Sequence, residues 1–391
     1  MSSVRLFWLL STYFIVQTAM GYGEKVDTIP MWQERAVLVL TNACRLAPVV
    51  YRDRFIKNET ILLPKNYPPV PPLYWNRNLN AAARFHCVEM GFVCGMSHDC
   101  NGITFEERVR GFYSSSSYIG ENIAQGYQNP QDVVNGWLID GRSAAEAAPD
   151  GNGDGHRKNI MSSRFGEIGC GYFQTGTGRD ATNYWCQDFG GGKSEFSYHP
   201  VPAASHLFFS KDSITFFANL YDTIQQITRI TLYLEKTYYQ LECVLGTNYA
   251  GTYSVSLPVA SSCRSYRFKL MKTDGSTIYY PEKGMFLTTG EGQCTDDYTT
   301  YLKRKMSIHH RKERFISVMY NGSQYVCKVE KKIQIPIKTQ IVDCRGRMMY
   351  HAKWDQKTMT IPVHKTHDGF MIFIHLLTDG SIISDHFINS R

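Results

Sequence analysis

The chain has 391 residues, of which 43% are hydrophobic and 13% aromatic, and its net charge is +7. This content excludes a disordered chain and is sufficient for two or three domains with packed cores. Nucleic-acid binding is not expected, because residues 303–305 and 311–314 alone hold six cationic residues and one anionic residue and the rest is near neutral. That basic strip is typical of a solvated linker; alternatively it binds sulfated sugars or anionic membranes, or is processed.

Residues 1–21 have the pattern of a secretion signal. Arg5 precedes an apolar core, and the small residues Ala19 and Gly21 occupy the positions that a signal peptidase inspects. An uncleaved anchor is the alternative, although the apolar core is short for a bilayer span. No later segment has about 18 consecutive apolar residues. We therefore expect a secreted, extracellular protein without a transmembrane span after cleavage.

The first 190 residues predict helices around a small sheet. Apolar spacing predicts helices over residues 32–46, 79–90, 104–112 and 131–138, an extended proline-rich loop over 64–72, and strands over 167–173 and 184–189. Elements of both kinds in one block of about 160 residues indicate an α+β domain, which we place at residues 30–192.

From residue 200 the pattern changes to short segments that alternate polar and apolar residues. Residues 213–218, 229–234 and 266–270 are typical of strands, and we predict an immunoglobulin- or fibronectin-like β-sandwich over residues 200–298. The basic linker, residues 299–314, follows. Residues 315–391 predict a small β module that ends in a hairpin around Asp379-Gly380.

Two histidines and an acid stand out in the α+β region. They are His98 in Ser97-His98, Glu121 in Gly120-Glu121-Asn122-Ile123-Ala124 and His156 in Gly155-His156-Arg157-Lys158-Asn159-Ile160-Met161. Two neutral imidazoles and a carboxylate suit Zn²⁺, with water completing the coordination. The alternative is that these polar groups only hold loops and helices together.

Three further pieces complete the set of motifs: Trp137, Glu167-Ile168-Gly169-Cys170-Gly171-Tyr172 and Tyr184-Trp185-Cys186-Gln187-Asp188-Phe189-Gly190. All of them stand in the order that is found in one protein family. Residues from about 36 to 190 thereby resemble the CAP superfamily, also called the SCP/TAPS domain, of cysteine-rich secretory proteins, venom antigens and plant pathogenesis-related proteins. The wording of the His156 motif is similar to that of bacterial and protist members. The resemblance implies an α-β-α sandwich whose cleft contains two histidines and two acids.

The resemblance also implies which residues form that cleft. It assigns the histidines to His98 and His156 and the first acid to Glu121. The second acid in animal members lies three residues after the tryptophan, which is Asp140 here, a methylene shorter than the usual glutamate. Since a shorter side chain reaches about 1.5 Å less far, Glu146 and Glu167 are the alternatives.

The eleven cysteines of a secreted chain predict disulfides with at least one thiol left over. The resemblance implies a Cys170–Cys186 bridge. Two more bridges are expected among four cysteines, with three arrangements open: Cys44, Cys87, Cys94 and Cys100. We also predict Cys263–Cys294 and Cys327–Cys344, which leaves Cys243. For the segment from Cys94 to Cys100, the alternative to a disulfide is zinc binding by Cys94, Cys100 and His98.

Two further kinds of site are suggested by short motifs. Asp150, Asn152 and Asp154 alternate with glycines as in the first half of an EF-hand, but Met161 stands where its glutamate belongs, so a looser Ca²⁺ site or a plain flexible turn is expected. Asn58 and Asn321 begin acceptor sequences for N-glycans.

These observations favour a secreted binding protein over an enzyme. The motifs offer no serine or cysteine nucleophile with a supporting triad, so the preferred function is binding of a lipid or sterol, as the resemblance implies, or of an extracellular protein or glycan. One alternative is a metal-dependent hydrolase that uses His98, Glu121 and His156, with Asp140 as the second acid. Another is an adhesion or matrix protein that acts through its β modules.

Overall fold

The computed structural model describes residues 30–176 and 181–292, and beyond them a series of strands. Within the ranges Met1–Gly102 with Ser115–Leu302, the described residues form one compact unit, and within Ile103–Ser114 with Lys303–Arg391 they form another. In the described part no helix is long and apolar enough to cross a membrane. The predicted signal (residues 1–21) and most of the basic linker lie outside the described residues.

Most of the helices and of the first four strands lie where the sequence predicts them. The helices are α1 (Trp32–Leu46), α2 (Pro48–Tyr51), α3 (Arg77–Glu89), α4 (Phe105–Phe112), α5 (Pro130–Ile139) and α6 (Gly155–Met161), and the strands are β1 (Tyr74–Trp75), β2 (Ile119–Gln125), β3 (Glu167–Thr175) and β4 (Thr182–Gly190). The predictions for α1, α3, α4, α5, β3 and β4 are confirmed. Helix α6 and strands β1 and β2 were not predicted.

The four strands form one sheet with helices on both faces. Its order is β1-β3-β4-β2, with β1 parallel to β3 and the other pairs antiparallel. Helix α3 packs on one face so closely that a Cβ at Gly169 or Gly171 would lie within 2.4 Å of its backbone. Helix α1 contacts β3 and α5 and shares the core of the other face with Ile168 and Trp185. The motifs of Glu121 and His156 lie on the edge strand β2 and on α6, respectively.

The next ten strands form two sheets in the same compact unit. They are β5 (Ala204–Phe208), β6 (Ser213–Tyr221), β7 (Ile227–Leu234), β8 (Thr237–Gln240), β9 (Glu242–Gly246), β10 (Ala250–Pro258), β11 (Ser265–Lys272), β12 (Thr277–Tyr280), β13 (Met285–Leu287) and β14 (Tyr298–Thr299). One sheet has the order β5-β6-β10-β9, and the other has the order β14-β13-β11-β7-β8 with β12 beside β11. The strands predicted over residues 213–218, 229–234 and 266–270 are confirmed. Phe216 of the first sheet and Tyr266 of the second have ring centroids 4.9 Å apart.

Helix α1 is buried all round because it lies between the first sheet and β5, β6 and β10. Every residue from Glu34 to Leu46 is buried. The Asn219 side chain donates to the Val39 carbonyl at 3.1 Å, Trp32 stacks on His206 with centroids 5.4 Å apart, and the Arg35 guanidinium lies 4.2 Å from the Phe286 ring centroid. Strands β5, β6 and β10 are therefore packed on the helical part rather than appended to it.

The remaining strands form two sheets of the other unit. The strands are β15 (Ile316–Tyr320), β16 (Gln324–Val329), β17 (Lys338–Asp343), β18 (Met348–Lys353), β19 (Thr358–Pro362), β20 (Gly369–Leu376) and β21 (Ile382–Asn389), in the orders β15-β16-β19 and β18-β17-β20-β21. β20 and β21 pair antiparallel, which confirms the predicted C-terminal hairpin.

The predicted Cys170–Cys186 bridge is wrong. Both thiols are free and buried. Cys170 lies opposite Gln187 and Gly171 lies opposite Cys186, and since neighbouring residues of a strand point to opposite faces, the two sulfur atoms lie on different sides of the sheet.

The other cysteine predictions have mixed outcomes. Cys94 and Cys100 form a disulfide, whereas Cys44 and Cys87 are free and lie in separate cores, so the second bridge expected among these four is wrong. Cys243 is free, as predicted for the left-over thiol. Cys263 is disulfide-bonded, but Cys294 and Cys344 lie outside the described residues, as do the side chain of Cys327 and the glycan site at Asn321.

Candidate functional site

His98 forms a hydrogen-bonded pair with Glu121. The histidine lies in a loop that the Cys94–Cys100 disulfide closes, and the glutamate comes from β2. The distance from His98 Nδ1 to Glu121 Oε1 is 2.8 Å. The imidazole is 50% exposed and the glutamate side chain 1% exposed, so a buried acceptor orients a ring that solvent reaches. Because Cys94 and Cys100 are oxidised, the alternative of zinc thiolate ligands in this loop is wrong.

His156 forms the second pair, with Asp140. Asp140 is the C-cap residue of α5. Its backbone is left-handed, with φ of 53°, a conformation that aspartate tolerates. Its Oδ1 lies 2.5 Å from His156 Nδ1, and its Oδ2 accepts the backbone N–H groups of His156 at 2.8 Å and Arg157 at 3.2 Å. The imidazole is 34% exposed and the carboxylate 8% exposed. Backbone geometry thus compensates for the short side chain.

The alternative acids lie elsewhere. Glu167 is buried and accepts the Asn76 side-chain amide at 2.8 Å. Glu146 is exposed in the short 3-10 helix Ala144–Glu146.

Two asparagines join the His98 pair to the His156 pair. Asn159 of α6 donates to the Glu121 carbonyl at 3.1 Å and to Asn122 Oδ1 at 2.9 Å. The Asn122 side chain donates to the His156 carbonyl at 3.2 Å and to Gln187 Oε1 at 3.1 Å. Sequence reasoning did not give these asparagines a role, although both stand inside the motifs. Asn122 is buried on β2 and Asn159 is partly buried on α6, so a polar side chain inside each motif was the available signal.

A buried cluster lies behind Glu121. The Cys186 thiol lies 3.5 Å from Glu121 Oε2 and 3.7 Å from Asp188 Oδ1. Among the residues that the structure describes, this is the group of three potential metal ligands whose atoms lie within 4.8 Å of one another. Neither His98 nor His156 belongs to it. Sequence reasoning did not assign Cys186 or Asp188 to the site.

The acidic turn before α6 is occupied by protein donors. Asp150 accepts the backbone N–H groups of Leu62 at 3.0 Å and Leu63 at 2.9 Å, and Asp154 accepts that of Gly151 at 2.7 Å. Buried Arg157 lies 3.3 Å from Asp150 and 3.6 Å from Asp154. Although burial acts to raise the pKa of Asp154, hydrogen bonds from Lys158 and Tyr67 hold it well below its usual value. A Ca²⁺ ion at Asp150, Asn152 and Asp154 would compete with this guanidinium.

The side chain of Asn58, at the first predicted glycan site, makes hydrogen bonds within the protein. Asn58 donates its side-chain amide to the Ala144 carbonyl, and its Oδ1 accepts the backbone N–H and the hydroxyl of Thr60, each at 2.7 Å.

A comparison with protein families covers the region that contains these residues. Residues 40–189 match the CAP family model, described as the cysteine-rich secretory protein family. The chain carries a CAP domain. Both histidine–carboxylate pairs and the asparagines that join them lie inside the matched range. The resemblance in the sequence is thereby confirmed.

A curated bacterial protein is similar to part of this chain. The uncharacterized protein YkwD of Bacillus subtilis strain 168 is 34% identical over 83 residues, which are 21% of this chain and 25% of that protein. The chain therefore spans about a quarter of the length of that curated relative.

Two solved structures are similar to part of the chain. An extracellular protein with an SCP domain from Bacillus anthracis strain Ames is 23% identical with a TM-score of 0.28, covering 40% of each chain. The venom allergen-like protein 4 of Schistosoma mansoni is 21% identical with a TM-score of 0.28, covering 42% of this chain and 90% of that one.

Proposed function

We propose that the protein is a secreted, non-catalytic binding protein whose CAP domain holds a divalent cation, Zn²⁺ first of all, between His98 and His156. One observation carries this proposal. The imidazoles of His98 and His156 are 50% and 34% exposed, and the Nδ1 of each lies within hydrogen-bond distance of a buried carboxylate. The secretion signal expected in residues 1–21 and the Cys94–Cys100 disulfide support an oxidising compartment.

The chemistry of the two pairs fits a metal. A carboxylate can only accept, so each Nδ1 carries the proton and Nε2 keeps the lone pair that binds a metal. Metal-binding histidines almost always donate their other ring N–H in this way, which fixes the tautomer and raises the basicity of the ligand. The asparagine links between β2 and α6 fix the backbone positions of Glu121 and His156 relative to each other.

The number of ligands favours binding over hydrolysis. Structural zinc sites have four protein ligands and catalytic sites have three. In the described part of the chain, His98 and His156 belong to no group of three ligand atoms within 4.8 Å. Two imidazoles with water would hold an exchangeable ion that orders the cleft, and this supports the binding role. Lipid or sterol binding stays a prediction from the resemblance.

Calorimetric titration of the full-length secreted protein with Zn²⁺ tests the proposal. We expect one site, with affinity lowered at least about tenfold in His98→Gln and in His156→Gln, since each loses one ligand. Glu146→Gln is the matched control, because it removes an exposed carboxylate near Asp140 in the chain and should change nothing. Zn²⁺ binding that survives both histidine substitutions would refute the site.

A further inference from the structure

A second cavity lies apart from the histidine pairs, where the CAP domain meets the strands packed on it. Its volume is about 610 Å³, within the range of about 300–1,000 Å³ that is typical of ligand sites. Tyr74 from β1, the segment after β4, the turn after β6 and strand β12 all contribute to its wall. No residue of the histidine–carboxylate pairs lines it.

Four tyrosines dominate the wall: Tyr74, Tyr198, Tyr221 and Tyr279. Tyr198 is 65% exposed, and its hydroxyl donates to Glu282 at 2.8 Å, which holds the ring at the mouth. Burial, with a smaller contribution from Tyr221, raises the pKa of Tyr74 to about 12. Each ring offers an apolar face with a hydroxyl that can both donate and accept.

The charges of the wall exclude some ligand classes. The wall contains two carboxylates, Asp222 and Glu282, and one lysine, Lys272. Positive charge is therefore not concentrated there in a way that would attract phosphate or sulfate. Asp222 accepts the Ile227 N–H at 2.6 Å, and Glu282 accepts the Tyr198 hydroxyl. Each carboxylate keeps further acceptor positions. An alkyl chain would cover these positions without satisfying them, so the wall is unfavourable for a lipid.

A buried donor lies behind the same wall. Trp75 lines a small adjoining cavity of about 10 Å³ together with Tyr198, His199 and Glu282, a volume close to that of a single water site. The Trp75 indole N–H is buried and has no hydrogen-bond partner among the described residues. A water molecule in this small cavity would satisfy the donor.

We infer that this cavity binds a neutral oligosaccharide of an extracellular glycan. A sugar ring presents an apolar C–H face to the tyrosines and many hydroxyls to the surrounding carboxylates, lysine and tyrosine hydroxyls. The inference deepens the proposed role as an extracellular binding protein, since it names a partner class at a place separate from the metal cleft. It rests on that role only for the compartment.

Calorimetric titration of the full-length protein with three neutral probes, cellohexaose, chitohexaose and mannohexaose, tests the inference. At least one is expected to bind, with affinity lowered about tenfold in Tyr198→Ala, as for the loss of one aromatic anchor. Tyr238→Ala is the matched control, because Tyr238 is 52% exposed on β8 and does not line the cavity.

Four further outcomes separate the two proposals and decide this one. Binding that is unchanged in His98→Gln and in the presence of a chelator supports a site independent of the metal. Absence of binding by all three neutral probes at millimolar concentration overturns the inference, as does binding of a heparin hexasaccharide alone. Equal affinity of the wild type and Tyr198→Ala also overturns it.

Discussion

Asp140 holds His156 at two points. One carboxylate oxygen lies 2.5 Å from the imidazole Nδ1, and the other accepts the backbone N–H of the same residue at 2.8 Å. The second contact lies in the first turn of α6, where helix N–H groups have no partner within the helix. Asp154, the residue before α6, makes no side-chain cap. Asp140, at the end of α5, therefore caps α6 and also orients the His156 imidazole.

Replacing this carboxylate should affect metal binding and stability together. In Asp140→Asn the amide accepts through one oxygen only, so we expect Zn²⁺ affinity to fall by about 10- to 100-fold and the free energy of unfolding by about 1 kcal/mol. Calorimetry and urea unfolding measure the two effects, with Glu146→Gln as the control. An unchanged Zn²⁺ affinity in Asp140→Asn would show that His156 does not bind the ion.

His206 should make the protein sensitive to acid. It is buried beside Trp32, and its Nε2 donates to the Thr289 carbonyl at 2.9 Å while its Nδ1 lies 2.9 Å from the Tyr266 hydroxyl. Burial lowers the pKa of His206 from 6.5 to about 3, and the positive charge of Arg35 adds to this. Below pH 6.5 the unfolded chain binds a proton that the folded chain does not. The free energy of unfolding should therefore fall by up to about 1.4 kcal/mol per pH unit from pH 6.5 towards pH 3.

The His206 effect is measured as a difference. Urea unfolding between pH 4 and 8 is compared for the wild type and His206→Gln, which keeps a donor and an acceptor but does not titrate in this range. The variant should be less stable at pH 8 and should lose less stability between pH 6.5 and 4. Parallel pH profiles would show that His206 does not remain neutral in the folded state.

The free thiols give a direct test of the corrected disulfide. Burial raises the pKa of Cys170 well above its usual value, with Glu34 and Asp188 adding to it, and Cys44, Cys87 and Cys186 are buried as well. Iodoacetamide should label none of these four in the folded protein and all of them after denaturation without reductant. Peptide mass spectrometry measures the labels. A Cys170–Cys186 peptide pair that resists labelling until reduction would contradict the register of β3 and β4.

The CAP domain and the two sheets packed on α1 should unfold together. Buried Asn219 donates to the Val39 carbonyl of α1 and to Thr252 at 2.9 Å, so Asn219→Ala should lower the free energy of unfolding by about 1–3 kcal/mol. Hydrogen exchange should show the slow amides of β4 and β6 exchanging faster by the same factor. Asn248→Ala, at an exposed position, is the control. A change confined to β6 would mean that the two parts unfold independently.

The sequence predicted most of the α+β core because its helices and strands are amphipathic or continuously apolar. It did not predict β2, since Glu121 and Asn122 are buried polar residues that break the alternation on which strand prediction depends. It did not predict α6, whose seven residues follow a glycine-rich turn. The Cys170–Cys186 disulfide that the resemblance implied was wrong because the register of β3 and β4 places the two cysteines on opposite faces of the sheet.

The site shows the same division. The motifs brought His98, Glu121 and His156 to attention, and the resemblance to the CAP superfamily implied Asp140 as the second acid. Spacing did not reveal that Asp140 has a left-handed backbone and also caps α6. The packing of β5 and β6 on α1 was not predicted either, because polar residues of α1 such as Arg35 and Asn42, which are buried in the structure, give no sign of a second interface.

The most direct test of the metal cleft is anomalous scattering at the zinc absorption edge from crystals grown with Zn²⁺. We predict one peak about 2.1 Å from Nε2 of both His98 and His156, with water as the other ligand. A peak at Glu121, Cys186 and Asp188 instead, or no peak between the two imidazoles, would contradict the account.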